Sequence, residues 1–178
     1  MDAAIALAKE NITILSQAEE LIEDISDTLY AHNDIPPFRS GVGKHMRHVL
    51  DFYTAFLKPP GDITDYDDRN RSVELETDRR LALQAIHQII GALETLQNAD
   101  LPVESKNDDG GHRLERFAYS RSSIGRELQF LASHTVHHFA MMAFILVQQG
   151  HTPHPDFGVA ASTLVHWQTV GRPDAPLP

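Results

Sequence analysis

Apolar residues fall at Ile5, Ala8, Ile12, Leu15, Ala18, Ile22, Ile25 and Leu29, always three or four apart, the spacing of one face of an α-helix. The pattern predicts a long amphipathic helix over 2–31. His32-Asn33-Asp34-Ile35-Pro36-Pro37 ends it, because a proline pair removes backbone donors and disfavours helix in the residue before it. Ser40 is the expected N-cap of a second helix over 41–57, with Val42, His45, Val49, Phe52 and Phe56 on one face and Pro59-Pro60-Gly61 as its stop. A polar connection over 61–71 leads through Ser72 to a third helix over 73–97, whose stripe is Ala82, Ile86, Ile89, Leu93 and Leu96.

Between 102 and 120 the run Asn107-Asp108-Asp109-Gly110-Gly111 signals a turn, with short extended pieces expected on either side. A fourth helix follows over 122–149, with Ile124, Leu128, Leu131, Met142 and Ile145 inward and Gly150 just past its end. The remaining residues, 151–178, read as a C-terminal extension with a short helix near 160–167 and a loose tail. Four helices, each with one apolar face, bury those faces most simply against one another. The expectation is an all-α, four-helix bundle forming a single domain over 1–178.

Composition narrows what such a bundle can do. No apolar run approaches the ~20 residues that span a bilayer, and residues 1–10 lack the pattern of a signal peptide, so a cytoplasmic protein with no membrane partner is expected. The chain has no cysteine, which excludes thiolate metal sites, catalytic cysteines and disulfides. A formal net charge of -10, with no basic stripe, argues against nucleic acid as a partner. Eleven histidines in 178 residues make that residue type the place to look for chemistry.

In the fourth helix, LASHTVHHFAMM places His134 and His138 four apart, one above the other on the inward face. A shared metal ion would relieve the desolvation of two buried imidazoles, although histidines in this pattern are also often just hydrogen-bonded in a core. His134 with His137 is an alternative pair, and His87 on the third helix reads as a core or rim histidine. The second helix offers GKHMRHVLDFYTAF, where His45 and His48 both border the inward face and periodicity slightly favours His45.

These residues resemble the DinB-like family, four-helix bundles with a metal-binding histidine triad. His48 with Asp51 matches the element on the family's second helix, and His134 with His138 matches the pair on its fourth. The segments DYDDRNR, VELETD, SSIGRELQFLASHTVHH and DFGVAASTL are also similar to segments of one uncharacterised branch. The resemblance implies a triad of His48, His134 and His138 on one divalent transition metal ion, zinc first and nickel as the alternative. It also implies a low-molecular-weight thiol as a candidate cofactor, since family members include bacillithiol- or mycothiol-dependent transferases and a maleylpyruvate isomerase. The family's label does not imply DNA repair.

Three neutral imidazoles without a carboxylate would leave a dication with an open position, which suits a metal-dependent transferase or hydrolase acting on a small molecule. The alternatives are a non-catalytic metal-binding or stress-related bundle, and a bundle whose histidines are structural. Asp51 could orient a ligand imidazole or be a solvated surface residue, and Glu127 could be a general base or pair with Arg126. Tyr66, Asp67, Arg69 and Arg71 could rim a pocket for an anionic substrate or simply be solvated. Phe139, Phe144 and Val147 are candidate apolar residues for a homodimer.

Overall fold

The computed structural model describes residues 3–37, 39–58, 63–106 and 119–173. The expected stop at Pro59-Pro60-Gly61, the turn at Asn107 to Gly111 and the last residues of the tail lie outside them. Seven helices occur among the described residues: α1 (Ala3–Asp24), α2 (Asp27–Ala31), α3 (Val42–Leu57), α4 (Glu74–Thr77), α5 (Arg79–Glu94), α6 (Ile124–Gln148) and α7 (Ala161–Val170). Three short strands join them, β1 (Ile63–Asp65), β2 (Pro102–Lys106) and β3 (Ser120–Ser123). The fold is a helical bundle. Its long helices form a ring in which α1 packs on α5 and α6, and α3 packs on the same two from the other side.

Two helices expected to be continuous are each divided by a capping residue. Ser26 adopts an extended backbone and accepts a hydrogen bond from Leu29 N, so the first helix ends at Asp24 and a new turn begins at Asp27. Asp78 does the same for the third, accepting from Arg80 N between α4 and α5. The expected cap at Ser40 is replaced by Gly41, which has no side chain to offer. Asn33 supplies the missing acceptor from a distance, its Oδ1 taking the Lys44 N–H at 3.2 Å while its Nδ2 donates to Glu76 O at 3.1 Å. That bracket fixes where α3 begins and holds α4 against it. A Cβ at Gly43 would fall 2.0 Å from Glu76 O, so only glycine permits the approach.

The extended pieces expected beside the 107–111 turn are present as β2 and β3, which pair antiparallel from Pro102↔Ser123 to Ser105↔Ser120. The polar connection was not expected to hold a strand, yet β1 pairs parallel to β2 with Ile63 opposite Glu104. Ser123 then caps α6 by accepting from Arg126 N, so the sheet runs directly into that helix. After α6 the extension doubles back. Phe157 stacks on Phe139 with centroids 4.7 Å apart, and Gly158, at φ 74°, approaches Ala140 N so closely that a Cβ would lie at 2.4 Å. Phe139 is therefore core and unavailable to a partner, whereas Phe144 is 71% exposed. The reading that no apolar run is long enough to span a bilayer needs one amendment: α6 is long and apolar enough by length and composition, as the core helix of a bundle can be.

The apolar core takes in Leu15, Ile22, Met46, Val49, Ile86, Leu93, Leu128 and Leu131 from the four long helices. Within it one polar chain ties three helices together. Asn11 of α1 donates to Leu7 O and, across the bundle, to Leu128 O of α6 at 3.0 Å. Tyr53 of α3 donates to Asn11 Oδ1 at 2.7 Å, and Thr135 Oγ1 of α6 lies 3.3 Å from the same phenol oxygen. All three side chains are buried, so each partner satisfies a group that water cannot reach. Tyr53→Phe leaves Asn11 Oδ1 without its donor and is expected to cost about 1–3 kcal/mol in urea unfolding, with an unchanged helical circular dichroism spectrum.

Candidate metal centre

The contact between α3 and α6 brings His48, His134 and His138 together, each half-buried, with ligand atoms all within 4.8 Å of one another. His134 Nε2 is the hinge of the group. It lies 3.3 Å from His48 Nε2 and 3.1 Å from His138 Nε2. A tetrahedral ion with metal–nitrogen bonds of about 2.05 Å would hold its ligand nitrogens about 3.3 Å apart, so these separations suit three ligands of one ion. The donor set fits too, since three imidazoles are ordinary ligands for late transition dications.

His45, slightly favoured by periodicity as the inner histidine of α3, is buried but faces the far side of the group. Its Nδ1 sits 2.9 Å from His138 Nδ1, leaving His138 Nε2 turned toward His134. A hydrogen bond at Nδ1 fixes the ring's tautomer and rotation, the support that ligand histidines commonly receive. His45 is thus placed to brace the His138 ring through the nitrogen opposite the one that faces His134. His137 is exposed and touches His138 only ring to edge, with centroids 5.3 Å apart. His87 pairs with Glu19 at 2.8 Å, well away from the triad in the fold.

Aromatic rings wall the group. Phe52 lies 4.8 Å from the His48 ring and 4.2 Å from the His134 ring, and Phe130 stacks on His134 with an interplanar angle of 15°. Burial pushes all three ligand candidates down, His48 to about 3, His134 to about 4 and His138 to about 2, and neighbouring histidines push in the same direction. Arg69 adds to the effect at His48 and His134. The rings are therefore neutral at pH 7 with lone pairs free to bind a cation. His134 Nδ1 and His45 Nε2 are buried with no hydrogen-bond partner among the described residues.

The other candidates are placed differently from what sequence suggested. Asp51 is neither solvated nor bonded to an imidazole. It is buried and pairs at 3.1 Å with Arg47, which also reaches Glu76 at 3.1 Å. Glu127 is buried as well, and its partners are hydroxyls, with Tyr66 donating at 2.7 Å and Ser122 donating to the other oxygen. Burial first, then the Glu127 charge, holds the Tyr66 phenol well above its usual range, so it stays a donor. Together they clamp the loop after β1 and the end of β3 onto α6. Tyr66 in turn stacks on Phe52 at 5.0 Å, which sets the loop against the histidine group. The signals for this clamp were faint: a serine in β3 and a tyrosine in a charged loop.

The DinB family pattern matches residues 2–167, nearly the whole chain. The chain belongs to the DinB family. The convergence of His48, His134 and His138, together with that membership, fits possible metal binding. A stretch of 106 residues is also 30% identical to a protein named FK506-binding protein 5 from Rhizopus delemar, covering 58% of this DinB chain and 27% of that relative. The chain thus spans about a quarter of the relative's length. No solved structure matches significantly.

The lowered histidine pKa values have a measurable consequence. An unfolded histidine titrates near 6.5, so below that pH the unfolded chain takes up protons that the folded triad refuses. In metal-free protein, stability present above about pH 6.5 is expected to fall as pH drops toward about 5, before most carboxylates titrate. Thermal melts at those pH values will show the slope, and it should flatten when His48, His134 and His138 are all replaced by Ala. His45→Ala should weaken metal affinity by roughly tenfold or more in a competitive chelator titration while leaving the stoichiometry unchanged.

Proposed function

We propose that this DinB protein is a metal-dependent enzyme that holds one divalent ion, zinc first and nickel as the alternative, on His48, His134 and His138. The single observation that carries the reading is the convergence of three neutral Nε2 atoms at separations suited to one ion. When bound, the ion supplies Lewis acidity that brings a thiol or water at its remaining position toward ionisation near neutral pH. The reaction class is transfer to or from a low-molecular-weight thiol, or hydrolysis, on a small-molecule substrate.

The chain's own residues support chemistry more than storage. The triad is half-buried, with no carboxylate or fourth histidine placed to close it among the described residues. His45 holds the rotation of His138, and Phe52 and Phe130 limit water around His134. Arg47, held between Asp51 and Glu76, stiffens the turn of α3 that carries His48. The short overlap with the Rhizopus protein adds nothing on ligand choice. A cytoplasmic homodimer, with Phe144 and Val147 at its contact, is the assembly we propose.

The test is elemental analysis of the purified protein beside His48→Ala, His134→Ala and His138→Ala prepared in the same way. About one equivalent of metal is expected in the parent, with a large loss in each variant. A parent that stays empty after reloading with zinc and with nickel would sink the proposal. With metal in place, assays against thiol cofactors and simple esters separate the transferase from the hydrolase, and turnover is expected to vanish in all three variants.

A further inference from the structure

Two arginines, Arg47 and Arg69, act electrostatically on His48, and their surroundings differ. Arg47 is neutralised by Asp51 and Glu76, both at 3.1 Å. Arg69, in the loop after β1, has buried Nε and Nη1 atoms with no hydrogen-bond partner among the described residues. A buried guanidinium nitrogen without an acceptor is costly, because nothing replaces the water it has lost. Burial and the neighbouring Arg71 and Arg47 cations push Arg69 down, while Asp51 and Asp67 push it up. Neither carboxylate is free to serve it: Asp51 is bonded to Arg47, and Asp67 pairs with Lys106 at 3.2 Å.

The position of Arg69 is well fixed. Its guanidinium lies over the Phe52 ring, 4.5 Å from the centroid, and that same ring touches His48 and His134. The loop that carries it is held by Tyr66, through the Glu127 clamp and the backbone bond from Tyr66 N to Lys106 O at 2.9 Å. Arg69 also lines a cavity of about 730 Å³, large enough for a small organic ligand, together with Thr54, Gln88 and two carboxylates that already have cationic partners, Asp51 with Arg47 and Asp68 with Lys58. One cation therefore joins the cavity to the histidine group, stacked and pre-positioned but lacking an acceptor.

We infer that Arg69 is the anion-binding element of a ligand subsite beside the triad, taking a carboxylate or phosphate oxyanion of the small molecule on which the centre acts. Guanidinium recognises either group through charge-assisted hydrogen bonds, and stacking on Phe52 removes the rotational freedom that binding would otherwise have to quench. As a subsite of that centre it rests on the reading above, whereas anion capture by Arg69 itself does not.

The experiment uses the full chain, stripped of metal, with inorganic phosphate and succinate as probes. The Arg69 Nε–H resonance, assigned by its disappearance in Arg69→Gln, should shift saturably with at least one probe. Affinity in Arg69→Gln should fall by about tenfold or more, with Arg69→Lys between the two. A response to phosphate alone assigns a phosphorylated ligand, and one to succinate alone assigns a carboxylic acid. A resonance unmoved by both probes, or an Arg69→Gln protein that binds them as tightly as the parent, overturns the inference. Should that variant fail to fold, the parent's resonance decides. Because metal is absent throughout, a failed titration says nothing against the triad, and an empty triad leaves this titration readable.

Discussion

Three imidazole nitrogens within 4.8 Å of one another, with His134 Nε2 only 3.1 and 3.3 Å from its two neighbours, form the constraint on which the arrangement of this bundle turns. Nitrogens that close repel one another unless a shared hydrogen bond or a cation stands between them, and burial disfavours the second proton that would turn any of these rings into a cation. A fold that keeps them together must hold α3 and α6 in fixed register. The means are visible above and below the site. Below, Asn11, Tyr53 and Thr135 cross-link α1, α3 and α6 inside the core. Above, Asn33 sets the first turn of α3, and the extension at Phe157 and Gly158 lies flat on α6. Each replaces a sliding apolar contact by a contact with one geometry.

The small sheet has a role out of proportion to its size. Its central strand β2 lets β1 and β3 be built from segments far apart in sequence, and both ends lead to the site. β3 passes straight into α6 through the Ser123 cap, while β1 hands the chain to Tyr66 and Arg69. Glu127 locks the two exits together by accepting hydroxyl protons from Tyr66 and Ser122. A carboxylate read from sequence as a general base or an arginine's partner is here buried between two hydroxyls and holds a loop.

Much of this was legible from residue spacing, and the reasons for the exceptions are physical. The four long helices follow from apolar residues three and four apart, because burial on one face is a local, periodic requirement. The breaks at Ser26 and Asp78 were missed because a capping side chain interrupts a helix without interrupting its apolar stripe. The pair His134 and His138 was readable, since both lie on one helix. Choosing His48 over His45 was not readable from periodicity, because both border the same face and only the rotation of α3 against α6 decides which ring meets His134. The family resemblance pointed to His48, the ring of α3 whose Nε2 lies 3.3 Å from His134 Nε2. The partners of Asp51 and Glu127 come from residues distant in sequence, such as Glu76 and Tyr66, and no local pattern announces such pairs.

The charge around the triad gives a last step. A dication on three neutral imidazoles keeps its full charge, since no ligand carboxylate offsets it. Of the nearby arginines, Arg47 is already matched by two carboxylates, while Arg69 adds a further positive charge behind Phe52. Opposite charges in a half-buried site interact more strongly than in water, so excess positive charge there is costly until an anion enters. Arg47 and Arg69 together balance Asp51 and Glu76, so the excess would be the ion's own, a departure from the net charge of -10 that the protein carries as a whole. Both proposals thus draw on one electrostatic argument. A thiolate at the metal and an oxyanion at Arg69 would together bring the site back toward neutrality, and a ligand offering only one of them would leave part of that charge unmatched.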